Sequence, residues 1–102
     1  MSNLNKISEK LIEATEEYGE KYPKHIVLEM KYLEKFDKHL LEASSQYGSQ
    51  PLRDAATREI MRQEPLTEQY QISLAEINVL NVRIRSLTQI SKNLISGNWN
   101  GD

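Results

Sequence analysis

The chain has no cysteine. Disulfides, thiolate zinc sites and a cysteine nucleophile are therefore excluded. Proline and glycine are scarce, at three and four residues, and they sit where the pattern breaks. No stretch alternates apolar and polar residues with period two, so no sheet is expected. No run of about 18 apolar residues occurs, so no membrane span is expected. The opening Met1-Ser2-Asn3-Leu4-Asn5-Lys6 has no basic stretch leading into an apolar core. No cleaved secretory signal is expected, and the cytoplasm is the expected compartment. A net charge of −2 leaves no large basic footprint for duplex DNA.

Reactive groups are equally sparse. His25 and His39 are the only histidines. Fourteen residues apart on one helix, they lie about 40° apart in phase but about 21 Å apart along the axis. They cannot share a metal within one chain. His25 is expected on the surface near a helix start, and His39, beside Leu40 and Leu41, in a structural role. No Glu-x-x-His pair, Gly-rich phosphate loop, Gly-x-Ser-x-Gly elbow or calcium loop is present. The many carboxylates fall on helix exteriors. No catalysis, cofactor or metal is expected.

What the chain does have is a long periodic stretch from Pro65 to Ile95. Leu66, Leu80, Leu87 and Leu94 recur every seven residues, with Ser73 in the remaining slot. Tyr70, Ile77 and Ile84 form a second row that continues to Ser91. Interleaved at threes and fours, the rows make one apolar seam on a helix predicted over 66–96. Leu74, Ile90 and Ile95 widen it. Such a helix needs partners, from earlier in the chain or from other copies.

Three more helices are predicted upstream. Leu4, Ile7, Leu11, Ala14 and Tyr18 share one face of a helix over 3–18, with Gly19 placed to end it. Pro23 suits a helix start, and a second helix is predicted over 23–46. Its stripe is Ile26, Met30, Leu33, Phe36, Leu40, Ala43 and Tyr47, with Val27 and Leu41 beside it. Tyr32 falls off this stripe and is expected to be exposed. Tyr18, Tyr47 and Tyr70 are expected in a core or interface. A loop over 44–51 uses Gly48 as C-cap and Pro51 as the next start. A short helix over 52–63 carries Ala55-Ala56 for close approach and Arg53, Arg58 and Arg62 towards its other side. The Glu64-Pro65 junction admits either a bent rod or two separate helices. The tail, 97–102, has Trp99 as its one feature. The expectation is a single all-α domain over 1–102. It is a three- or four-helix bundle or hairpin with a coiled-coil-like seam on a long C-terminal helix. At this size, with 38% hydrophobic residues, oligomerisation is the common remedy for a thin core.

Charge is unevenly placed. Residues 1–50 carry nine acids against seven lysines, whereas 78–101 hold Arg83, Arg85 and Lys92 and no acid. The rest of the polar face of the long helix is amide and hydroxyl: Gln69, Gln71, Asn78, Asn81, Ser86, Thr88, Gln89 and Asn93. Such groups desolvate more cheaply than charges. Two readings follow. The face is buried against symmetry mates, or it forms a groove for single-stranded nucleic acid. In the second, Arg83, Arg85 and Lys92 meet phosphates and Trp99 or Tyr47 stacks bases.

Two family resemblances bear on the choice. Lys21-Tyr22-Pro23-Lys24-His25 running into Met30-Lys31-Tyr32-Leu33, then the Arg/Ala-rich segment 53–58, resembles the recombination mediators of T-even bacteriophages (UvsY-like). So does the C-terminal helix, Val82-Arg83-Ile84-Arg85-Ser86-Leu87 and Ile90-Ser91-Lys92-Asn93-Leu94-Ile95, closing on Trp99 and Gly101. That resemblance covers most of the chain, which is shorter and less basic than those mediators. It implies a non-enzymatic homo-oligomer in the host cytoplasm that binds single-stranded DNA, a recombinase, or both. Glu64-Pro65-Leu66 with Gln71-Ile72-Ser73-Leu74 and Ile77 is similar to the polymerising C-terminal helix of type III secretion inner-rod and needle subunits. That resemblance covers about the last 40 residues and implies a structural subunit. The expected function is that of a self-assembling accessory protein of phage-type DNA recombination or replication. The alternatives are a secretion or phage assembly subunit, or a small inhibitor that binds a host protein through its acidic half.

Overall fold

The computed structural model describes residues 3–97. Three helices follow in order: α1 over Asn3–Ser44, α2 over Gln50–Arg62 and α3 over Pro65–Ser96. No strand occurs among the described residues. The architecture is all-α, with α1 packed on α3.

Residue contacts divide the chain into two compact units. One joins α1 up to Tyr22 with α3 from Ala75 onward; the other is Pro23–Leu74. In the first, Ala14 on α1 and Ile77, Leu80 and Leu87 on α3 are buried. Leu4, Ile7, Leu11 and Tyr18 lie half-buried with Ile84, Ser91 and Leu94. Lys21 closes this packing with ion pairs to Glu76 at 2.8 Å and Glu17 at 3.1 Å. Glu76, then Glu17, holds the Lys21 ammonium above its ordinary range. In the second unit Ala43, Thr57, Met61 and His25 are buried. Its α1–α3 hydrogen bonds run His25 to Ser73 and Tyr70 to Glu29. Rising numbers on α1 meet falling numbers on α3, so these segments are antiparallel.

Short connections set the helix ends. After α1, the amide of Tyr47 donates to the carbonyl of Ala43 at 3.0 Å. Ser49 caps α2, its hydroxyl accepting from the Leu52 amide at 3.4 Å. Gly48 does not take the left-handed conformation of a C-cap; among the described residues only Gly97 has positive φ, at 74°. Gly97 ends α3. At the α2–α3 junction Gln63 caps α2, and Pro65 opens α3 where its missing N–H costs nothing. The chain thus has two separate helices here, not one bent rod. The Thr67 hydroxyl ties the turn by donating to the Met61 carbonyl.

The upstream helices differ from expectation. Gly19 does not end a helix and Pro23 does not begin one; both lie inside the continuous α1. Pro23 cannot donate to the carbonyl four residues back, which is that of Gly19. Both residues are exposed, so water can serve that carbonyl. The helical phase therefore carries straight through. Leu4, Leu11, Tyr18, His25, Tyr32 and His39 recur at sevens, and all are buried or half-buried. The packed face over 25–43 follows His25, Glu29, Tyr32, Phe36, His39 and Ala43, so it overlaps the expected stripe in part but turns away from Met30 and Leu33. Met30 is 64% exposed, and Leu33 and Tyr47 are exposed as well. His25, expected on the surface, is only 4% exposed. Tyr32, also expected outside, is half-buried. Phe36, Leu40 and Ala43 belong to both patterns and do pack inward.

Candidate functional site

Three groups of side chains merit consideration. The first is the polar cluster within the second unit. His25 Nδ1 lies 3.0 Å from Ser73 Oγ. The His25 ring stacks on Tyr70 at 5.6 Å, and Tyr70 stacks on Tyr32 at 4.7 Å. The Tyr70 hydroxyl donates to Glu29 Oε2 at 3.3 Å, and that carboxylate lies 3.9 Å from His25 Nε2. Burial, then the charge of Glu29, pushes the Tyr70 phenol above its ordinary range. His25, Ser73, Tyr70 and Glu29 are linked to one another across the two helices, so the arrangement suits positioning of α1 on α3.

The second is centred on Glu64 at the α2–α3 junction. Lys35 Nζ donates to Glu64 Oε2 at 2.9 Å, and His39 Nε2 lies 3.3 Å from Oε1. Lys35 first, then His39, holds the Glu64 carboxyl below the ordinary carboxylate range. His39 Nδ1 is buried and 3.6 Å from Glu42, just beyond hydrogen-bond reach. Beside this junction a cleft of about 320 Å³ is lined by Tyr32, Arg58, Met61, Arg62, Thr67, Glu68 and Gln71. Arg62 is already held by Glu59 at 2.8 Å. No three His, Asp or Glu side chains among the described residues are grouped to hold a metal, and none of their helices is long and apolar enough to cross a membrane.

The third is the outer side of α3 within the first unit. Arg83, Arg85 and Lys92 are all exposed. None has an ion pair among the described residues. Two residues apart, Arg83 and Arg85 project about 200° from one another. They cannot line one face of the helix. Arg85 and Lys92, seven apart, do share a side, about 10.5 Å apart along the axis. Asn78 continues the same row, with Asn81, Thr88 and Gln89 beside it. Trp99 lies outside the described residues. The seam residues Leu66, Tyr70, Ile77, Leu80, Ile84, Leu87 and Leu94 are all buried or half-buried within the chain.

Two features escape a reading by hydropathy alone. One is the packing of His25 and Tyr32 on Tyr70, whose inward positions on α1 the seven-residue recurrence from Leu4 would have signalled. The other is a second row on α3, Ala75, Val79, Val82 and Ser86, at spacings of four, three and four. All four are exposed, and none is charged. Comparison of the chain with family models, curated proteins and solved structures finds no match.

Proposed function

We propose that this chain is a non-enzymatic helical accessory protein that works by self-assembly. In assembled form it binds single-stranded DNA along the acid-free face of α3 that carries Arg85 and Lys92. The observation that carries the reading is the imbalance between core and surface. Six apolar residues are buried among the described residues, two of them alanines. Fourteen large hydrophobics, by contrast, stay exposed. Exposed apolar surface in excess of the core marks an interaction surface. The charge pattern supports the nucleic-acid part. Asn78–Gly97 carries three cations and no acid on a chain of net charge −2. Two cations on one face are a weak phosphate footprint for one chain and a stronger one when copies are joined. The resemblance of 21–33, 53–58 and 82–95 to phage recombination mediators supports a place in recombination or replication.

Light-scattering mass, combined with anisotropy titration of labelled oligo-dT at low and physiological salt, tests this. The expected result is an oligomer whose DNA affinity falls steeply with salt. The Arg85→Ala/Lys92→Ala variant should lose a further ~tenfold or more. An oligomer that does not bind DNA even at low salt removes the nucleic-acid part and leaves a structural subunit.

A further inference from the structure

The second row on α3 fits one occupant better than any other: the same row on a second copy. Val79 lies two residues past Ile77, and Val82 two residues before Ile84, so both project about 200° from the inner seam. They are 57% and 60% exposed. With Ala75 and Ser86 they form a narrow 3-4 stripe in which small and β-branched side chains let two helices approach closely. An uncharged, mostly apolar row of this spacing on the far side of a packed helix has the pattern of a coiled-coil seam.

The flanks decide the orientation. Arg83 and Glu76 border the row on one side; Asn78, Arg85 and Lys92 border it on the other. When two copies run antiparallel about the midpoint of residues 80 and 81, Val79 meets Val82 of the second copy and Ala75 meets Ser86. Glu76, whose Oε2 already holds Lys21 of its own chain, then also faces Arg83 of the second copy, twice by symmetry. Asn78 faces Arg85, and no like charges meet. A parallel, in-register pair gains neither Glu76–Arg83 contact. Flanking charges of this kind set partner choice and direction in coiled coils.

We propose that the Ala75–Ser86 face of α3 is a self-association surface that pairs two copies antiparallel. The proposal rests on the self-assembly reading above and names its interface. It also bears on DNA binding. The antiparallel pair places both copies of Arg85 and Lys92 on one side. Their two Lys92 positions lie about 35 Å apart along the axis, at about 1.5 Å per residue. Two unconnected basic patches become one track of four cations.

The absence of cysteine makes the test direct. Ala75→Cys and Ser86→Cys are prepared separately, mixed in equal amounts and oxidised mildly. Antiparallel pairing predicts the mixed disulfide as the main product. It predicts little Ser86→Cys homodimer, because those positions lie about 16 Å apart along the axis, beyond disulfide reach. In parallel, the mass of Val79→Glu/Val82→Glu is followed with concentration, with helix content checked by circular dichroism. The association midpoint should rise at least ~tenfold at unchanged helicity. A dominant Ser86→Cys homodimer overturns the antiparallel pairing. Unaltered association of the Val79→Glu/Val82→Glu protein overturns this interface while leaving self-assembly standing. A wild-type chain that stays monomeric at all concentrations overturns both. Should the double variant unfold, Val82→Ser replaces it with a smaller expected shift in the same direction.

Discussion

His25 Nδ1 and Ser73 Oγ meet at 3.0 Å across the two long helices, one in α1 and the other in α3. Ser73 is the one polar residue in its row of leucines, and His25 is the buried ring that it serves. The irregularity on one helix answers the irregularity on the other. A leucine at 73 would leave the imidazole nitrogen facing a methyl group. We expect Ser73→Ala to cost about 1–3 kcal/mol of stability, the usual penalty for removing a partner from a buried polar group. Urea unfolding of the two proteins measures it. An unchanged midpoint would mean that water replaces the hydroxyl without loss.

Pro23 and Gly19 give a second prediction. In α1, Pro23 withholds one hydrogen bond from the Gly19 carbonyl. Pro23→Ala restores the donor, and we expect stability to rise by about 1–3 kcal/mol. Gly19→Ala places its new methyl in open space and should add roughly 0.5–1 kcal/mol. Thermal unfolding checks both. A loss in either would mean that the exposed carbonyl needs the freedom that these residues leave it.

Glu64 ties acid stability to one junction. Lys35, and then His39, holds its carboxyl below the ordinary 4.5. A carboxyl depressed in the folded state contributes stability that is fully present above that value. It is lost as the pH falls through the lower, folded value. We expect the urea midpoint to drop in this acid range. Glu64→Gln should be less stable than the parent at neutral pH and lose less on acidification. Identical pH profiles for the two would show that the contacts with Lys35 and His39 are energetically silent.

Tyr70 makes the opposite prediction at high pH. Burial, and then the Glu29 charge, raises its phenol above the ordinary value of about 10. A phenol raised on folding contributes stability that is full below the ordinary value and lost as the pH rises through the folded one. Tyrosinate absorbance of the folded protein should show one late-ionising tyrosine that Tyr70→Phe removes. A variant with the same late step would assign it to another ring.

The sequence by itself determined the inner seam of α3, although Ile90 and Ile95, expected to widen it, are exposed. Its nine seam positions, from Leu66 to Leu94 with both serines, are all buried or half-buried. A helix keeps a constant angle per residue, so a regular repeat specifies its inward face without outside help. The first turns of α1, the start of α2 near Pro51 and the Gly97 stop are legible for similar local reasons, whereas the Ser49 cap of α2 was not read. The roughly 200° between Arg83 and Arg85 is likewise available from their numbers alone. Only the tertiary structure decided the rest of α1. Read locally, Gly19 and Pro23 resemble a stop and a start. Read that way, the phase restarts on the most apolar stripe and puts Met30 and Leu33 inside. In the structure the helix runs on, and packing against α3 brings His25 and Tyr32 inward, where Ser73 and Tyr70 supply their hydrogen bond and ring partners. Those partners lie 48 residues from His25 and 38 from Tyr32, so the recurrence at sevens along α1 marks the two inward positions but not the residues that meet them.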